Sequence, residues 1–275
     1  MRTFHRLLLF CFLGCLFLSF HTPRTGVVSI CSWNIRDFGK SKSDSAIHFI
    51  AGTIRHFDIV LIQEVVAGPG GAEGIARLAD VLNRSGAKWE YTVSDPTYGE
   101  SYKTERYAFL WKTAAVKRRG NSWLESTYKE EIDREPYYTT FLKNGREFTL
   151  ANFHAITKTK QPEREVKYFK LLPALYPELN LIFCGDFNLP QSHTVFNPLK
   201  SMGYSPILTG QKTTLKKNCM ADDCLASEFD NAFLKRSGQT LDSAGIIPFH
   251  TRFNSVQDAA HISDHVPIFF QLSFQ

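Results

Sequence analysis

The 275-residue sequence has no internal repeat, no low-complexity tract and no linker long enough to divide it. Fibrous and wholly disordered architectures are thereby excluded, and one large domain is expected. Neither sign of charge is in strong excess. Against 27 acids stand 32 Lys and Arg, a net of +5, which falls to +3 once Arg2 and Arg6 are set aside. So mild a surplus permits a polyanionic partner without demanding one. Beyond residue 20 no apolar run is long enough to span a bilayer, which takes roughly 20 residues. Cysteine is scarce, with six in the chain. Cys11 and Cys15 lie near the N-terminus, and Cys31 and Cys184 sit in apolar, strand-like runs that suit buried thiols. Only Cys219 and Cys224 share a polar loop, where an oxidising compartment would let them close a disulfide. No further ligands stand at zinc spacing beside them.

What the sequence does have is phenylalanine, 23 residues of it, with Phe4, Phe10, Phe12, Phe17, Phe20 and Phe38 in the first 40 positions. Arg2 and Arg6 precede an uncharged run of 14 residues, Leu7–Phe20. That length suits the apolar region of a secretory signal, about 7–15 residues. Residues 1–22 are therefore expected to be a leader, and 26–275 a single domain. The expectation is an exported protein, secreted or periplasmic, monomeric and without a stable membrane partner once the leader is removed.

Short apolar strands are predicted at Val27–Trp33, Asp58–Gln63, Trp89–Val93, Arg106–Trp111, Leu179–Cys184, Phe229–Leu234, Leu241–Ile247 and Val266–Leu272. Asn144-Gly145 between Tyr137–Leu142 and Glu147–Phe153 is a hairpin signal. Ser43 or Asp44 is placed to cap a helix bearing Ile47, Ile50 and Ile54, and Ile75, Leu78 and Leu82 mark a second helix. Gly68-Pro69-Gly70-Gly71 reads as a loop. Pro162 opens a helix to about Leu172, before Pro173. Helices interleaved with many strands, several of them antiparallel, argue for a mixed α/β layered domain.

Several strands end in polar residues: Asn34 after Trp33, Glu64 after Gln63, His154 after Phe153, Asp186 and Asn188 around Phe187, and Asp264-His265 before the final strand. Each has an ordinary alternative, as a turn cap, a solvated strand end or a satisfied histidine. Together they form the kind of constellation that rigid strand ends hold for catalysis.

The motifs SWNIRDFG (32–39), LIQEV (61–65), ERYAFLW (105–111), NFHA (152–155), GDFN (185–188), FDNAFL (229–234) and SDHVPI (263–268) follow in order from Val27 to the C-terminus. In these the chain resembles the endonuclease/exonuclease/phosphatase superfamily, and within it the deoxyribonuclease I branch. The resemblance implies a four-layer αββα sandwich of two mostly antiparallel packed sheets flanked by helices. It also implies divalent-metal-dependent hydrolysis of DNA phosphodiester bonds with little sequence preference, leaving 5′-phosphate and 3′-hydroxyl ends. By the same resemblance Glu105 supports His154, Asp230 supports His265, and Asp186 and Asn188 orient the attacking water. Asn34, Glu64 and Asp264 fall to the metal shell, whose oxygen donors suit Mg²⁺, with Mn²⁺ or Ca²⁺ as alternatives. Arg36 and Tyr102 are candidates for substrate binding, and Lys112, Lys158 and Lys160 for backbone contacts. One departure stands out: the family's minor-groove arginine after QEV is replaced here by Val66. The alternative within the same superfamily is a phosphodiesterase or phosphatase acting on phospholipid or phosphoinositide head groups.

Overall fold

The computed structural model describes residues 26–99, 104–219, 223–235 and 238–274. The leader and Tyr102 lie outside them.

Two six-stranded sheets make up the centre. The first is built from β1 (Val27–Phe38), β2 (Ile59–Val66), β3 (Trp89–Val93), β4 (Glu105–Lys112), β11 (Gln239–Ile246) and β12 (Ile268–Phe274), in the order β11-β12-β1-β2-β4-β3. The second contains β5 (Lys117–Leu124), β6 (Tyr137–Lys143), β7 (Arg146–His154), β8 (Leu181–Asp186), β9 (Tyr204–Pro206) and β10 (Asp230–Lys235), in the order β5-β6-β7-β8-β10-β9. One parallel pair interrupts each otherwise antiparallel sheet, β1 with β2 and β7 with β8.

Strand alternation explains why these runs are apolar on both faces. From β1, Val28 and Ile30 point between the sheets, where they meet Phe141, Phe148, Leu150 and Ile182. Cys31 and Trp33 point outward onto α1 (Asp44–Ile54) and α2 (Pro69–Asn83), through Ile47, Ile50, Ile75 and Leu78. The second sheet turns Phe153, Phe183 and Phe233 outward under a layer of short helices, α3 (Glu163–Val166), α4 (Leu172–Leu175) and α5 (Asn197–Ser201), to pack on Phe169, Leu172, Phe196 and Leu199. A last short helix, α6 (Val256–Ala260), precedes His265. Three apolar cores thus separate four layers, as the αββα expectation requires.

Ser43 caps α1, its hydroxyl accepting from the Ala46 N–H at 3.2 Å. The 144–145 turn joins β6 to β7 with both residues at positive φ, 48° and 78°, the geometry of a two-residue hairpin. Three local expectations differ from what is found. The Gly68–Gly71 cluster is not a loop: Gly68 is the N-cap and Pro69 opens α2, where its missing N–H costs nothing. Glycine is needed there for packing, since a Cβ on Gly71 would sit 2.0 Å from the Val66 carbonyl oxygen. The Pro162 helix breaks into α3, a 3₁₀ turn (Lys167–Lys170) and α4, with Pro173 inside the first turn of α4. Strand β5 was not anticipated, because Lys117-Arg118-Arg119-Gly120 is a solvated edge with no apolar alternation.

Cys219 and Cys224 are disulfide-bonded, and Cys31 and Cys184 are free and buried. Among the described residues no helix is long and apolar enough to cross a membrane.

Candidate active site

Strand register places the reactive groups. His154 at the end of β7 pairs with Asp186 at the end of β8, and Asp186 pairs with Asp230 at the start of β10. Neighbouring strands lie about 4.8 Å apart, so the three side chains form one lateral row. Close approach of β7 and β8 depends on Gly185, whose φ is 143° and whose Cβ, if present, would lie 2.0 Å from the Phe153 carbonyl oxygen. In the first sheet the β1–β2 register lines up Asn34 with Gln63. A bulge between Ile62 and Val65 follows, with Glu64 at φ 59° inside it.

The two sheets are joined at this end by side chains. Asn34 Nδ2 donates to Asp186 Oδ2 at 3.1 Å, and Asn152 Nδ2 donates to the Ile62 carbonyl at 3.1 Å. His265 reaches the row from the loop before β12. Its carbonyl accepts from Trp33 Nε1 at 2.7 Å, and its N–H donates to Ser263 Oγ at 3.1 Å.

Asp186 is the hub. Its Oδ1 accepts the Asn188 N–H at 2.8 Å, while Oδ2 lies 3.4 Å from His154 Nε2 and 3.6 Å from His265 Nε2. Each histidine is held from behind by a second carboxylate. His154 Nδ1 is 3.0 Å from both oxygens of Glu105, and His265 Nδ1 is 2.8 Å from Asp230 Oδ2. Thr213 Oγ1 donates to the same Asp230 oxygen at 2.7 Å. These contacts fix both imidazoles with Nδ1–H toward its carboxylate and Nε2 toward Asp186.

Electrostatics follow the geometry. Burial opposes a charged ring at His265, but Asp230 and then Asp186 outweigh it and push the pKa up to about 10. At His154 burial and Arg134 both oppose the charge, and Glu105 and Asp186 still raise the pKa. Burial would raise Asp186, yet the two imidazoles and its hydrogen bonds hold it below the usual carboxylate range. Asp230 goes the other way, raised by burial and by the nearby Asp186 charge, with His265 pulling against them.

His154, Asp186 and His265 face a cleft of about 540 Å³, lined also by Glu64, Glu105, Arg134, Lys160, Asn188 and Asp264. Asp186, Asp230 and His265 could bring ligand atoms within 4.8 Å of one another. With His265 protonated, however, its Nδ1–H donates to Asp230, its Nε2–H faces Asp186 at 3.6 Å, and neither nitrogen has a lone pair for a metal. A better fit to a hard cation is the oxygen set Asn34, Glu64 and Asp264. Asn34 Oδ1 and Asp264 Oδ1 are buried acceptors with no hydrogen-bond partner, which is costly unless something binds them.

Other candidates fall elsewhere. Arg36 is exposed and does not line the cleft, although its N–H reaches Ser263 Oγ at 3.4 Å. Lys112 is at the opposite end of β4 from Glu105, about 23 Å away at 3.3 Å per residue, beside Asp58 and Trp89. Lys158 is exposed, and Lys160 alone of the three lysines lines the cleft.

The residue that sequence reasoning missed is Arg134. Only 11% of its side chain is exposed. Its Nη1 donates to Glu105 Oε2 at 3.0 Å and lies 3.1 Å from His154 Nδ1, and its Nη2 donates to the Ala155 carbonyl. Lying between Asp133 and Glu135, it reads in sequence as part of a solvated charge run. Pro136 behind it, favouring extended chain at Glu135, is the only local signal.

Against known proteins, the Endonuclease/Exonuclease/phosphatase family pattern matches residues 31–265. A deoxyribonuclease of Thioalkalivibrio sp. (strain K90mix) is 32% identical over 265 residues, spanning 87% of this chain and 69% of that one. Deoxyribonuclease gamma of Homo sapiens is 28% identical over 284 residues, spanning 94% of this chain and 89% of the relative. An endonuclease/exonuclease/phosphatase family protein of Bacteroides thetaiotaomicron superposes with a TM-score of 0.68 at 18% identity, over 90% of this chain and 98% of that one. A mannosyl-6-phosphatase of the same species gives 0.64, also at 18% identity, over 90% and 100% of the two chains. The matched span runs through the whole His154–Asp186–His265 row, and the chain belongs to the endonuclease/exonuclease/phosphatase family.

Proposed function

We propose that this protein is an exported, monomeric, divalent-metal-dependent deoxyribonuclease that hydrolyses DNA phosphodiester bonds with little sequence preference, leaving 5′-phosphate and 3′-hydroxyl ends. The observation that carries the reading is one carboxylate, Asp186, flanked by two histidines that each carry a carboxylate of their own. The nearest sequence-level support is the likeness to proteins named deoxyribonucleases.

Hydrolysis needs a proton removed from water and another delivered to the departing 3′-oxygen. Two positioned imidazoles divide that work, the charged one giving up its Nε2 proton and the other taking the water's proton in its neutral form. Each keeps Nδ1–H on its carboxylate and offers Nε2 to the cleft, and such proton transfer is worth about 10²–10⁴ in rate. Asp186, held below the usual carboxylate range and oriented by Asn34 and Asn188, accepts from the water and aligns it. Arg134 meets the anionic substrate at the mouth of the Glu105–His154 pair. Asn34, Glu64 and Asp264 are the residues that would hold Mg²⁺. When bound, the cation supplies charge neutralisation for the pentacoordinate phosphate.

The test is plasmid nicking in Mg²⁺ by the parent and by Asp186→Ala and His265→Ala. The parent nicks, each variant is at least about 100-fold slower, and the ends are ligatable 5′-phosphates. A parent inert on plasmid DNA but active on sphingomyelin or inositol phosphates would replace the DNA reading with the head-group alternative.

A further inference from the structure

The geometry assigns Glu165 as a positioning residue for Arg134, an inference that rests on the proposed phosphodiester chemistry of the same site. Glu165 belongs to α3, outside the row, and is fully buried at 0% exposure. Its two oxygens bind two different segments. Oε1 accepts the Asp133 N–H at 2.7 Å, and Oε2 accepts the Ile156 N–H at 2.9 Å.

These N–H groups flank the guanidinium at both of its attachments. Asp133 immediately precedes Arg134 in the chain. Ile156 immediately follows Ala155, whose carbonyl accepts Arg134 Nη2. A closed circuit results: the Glu165 carboxylate, the Asp133 backbone, the Arg134 side chain, the Ala155 carbonyl and the Ile156 N–H returning to Glu165. The Ala155 carbonyl also accepts Asn188 Nδ2 at 2.9 Å, so the circuit reaches the residue whose N–H orients Asp186. Arg134 Nη1 then carries the position to Glu105 Oε2 at 3.0 Å and to the edge of His154.

A carboxylate suits this role because both contacts are N–H donors and a carboxylate only accepts. Glutamine would present an amide N–H₂ to one of the two donors, opening one side of the circuit while keeping the shape of the side chain. Glu125 is the internal control. It too is buried, at 1% exposure, and accepts from the Thr127 N–H at 2.7 Å, Tyr176 Oη at 3.0 Å and Tyr138 Oη at 3.2 Å. None of those donors belongs to the circuit.

The experiment makes Glu165→Gln in the full chain and in an Arg134→Ala background, with Glu125→Gln alongside. Glu165→Asp is the second variant, which keeps the charge but is too short to span both N–H groups. Two readouts are taken. The first needs no substrate: the side-chain Nε–H resonance of Arg134, assigned by its loss in Arg134→Lys, is sharp in the parent and in Glu125→Gln and broadened in Glu165→Gln and Glu165→Asp. The second is plasmid nicking in Mg²⁺. Glu165→Gln lowers kcat by about tenfold or more with a smaller change in KM, and by less than about twofold when Arg134 is already Ala. An unchanged Arg134 resonance overturns the assignment. So does an equal fold loss in both backgrounds, or a loss matched by Glu125→Gln at the same drop in melting temperature. If the parent does not nick DNA, the proposed function fails and the resonance alone decides the role of Glu165.

Discussion

Replacing Gly185 with alanine tests whether the active row depends on strand proximity. Gly185 and Phe153 are register partners in the parallel β7–β8 pair, one step before Asp186 and His154. An added Cβ would lie 2.0 Å from the Phe153 carbonyl oxygen and 3.0 Å from its carbonyl carbon, both backbone atoms that cannot swing away. The strands must part by about 1 Å to restore ordinary contact, a core overpacking that costs about 1–3 kcal/mol. A φ of 143° adds backbone strain of about 1–3 kcal/mol for a residue with a side chain. Together these give roughly 2–6 kcal/mol, or a fall in melting temperature of roughly 5–20 °C for a domain of this size. Because the same movement lengthens the 3.4 Å approach of His154 to Asp186, nicking falls even well below the melting transition. Gly52→Ala is the counterpart. Gly52 lies within α1 with nothing within 4 Å of its Cβ position, so alanine there stabilises by about 0.5–1 kcal/mol and leaves activity unchanged. Thermal melts by circular dichroism and nicking rates settle both. A Gly185→Ala protein with parental melting temperature and parental activity would refute the reasoning.

Three further outcomes are expected. His265 has its pKa raised to about 10, so its contribution to stability is complete below the unfolded value near 6.5 and is lost as pH climbs to 10. Melting temperature measured in EDTA should therefore fall across that window, and more steeply in the parent than in His265→Gln. Chelation should abolish nicking and Mg²⁺ restore it. Glu64→Gln and Asp264→Asn should each raise the Mg²⁺ concentration needed for half-maximal rate, and an unshifted requirement in both would remove these residues from the metal shell. Reducing Cys219–Cys224 opens a small loop, worth about 2 kcal/mol by chain entropy. It also loosens a segment in which the Leu215 N–H holds the Asp264 carbonyl at 2.7 Å and the Lys216 N–H holds the Cys224 carbonyl at 2.9 Å. Dithiothreitol should thus lower both melting temperature and nicking, with Cys219→Ser/Cys224→Ser matching the reduced parent.

The row of reactive groups was legible because apolar strands that stop in acids or histidines leave a signal in sequence, as at Phe183-Cys184-Gly185-Asp186 and Phe153-His154. Their lateral order was not, since nothing local specifies that β8 lies between β7 and β10. Edge strand β5 was invisible for a different reason: one side faces solvent and the other adds little apolar alternation, so Lys117–Gly120 looks like a loop. The glycines at the start of α2 misled because a residue chosen for close packing against Val66 resembles one chosen for a turn.

Arg134 and Glu165 were hidden most deeply, and for a physical reason that bears on function. A charged side chain is nearly always exposed unless paired, so Asp133-Arg134-Glu135 and Glu163-Arg164-Glu165 both suggest solvated surface. In the folded chain Arg134, in the connection from β5 to β6, is instead compensated by Glu105 of β4 in the first sheet, 29 residues away. Glu165 is compensated by backbone N–H groups 32 and 9 residues away. Burying these charges is sustainable only when all the partners are in place, which makes the guanidinium a sensor of correct assembly at the mouth of the site. Because Glu105 comes from the first sheet and His154 from the second, the ion pair beside His154 forms only when the two sheets have closed on each other.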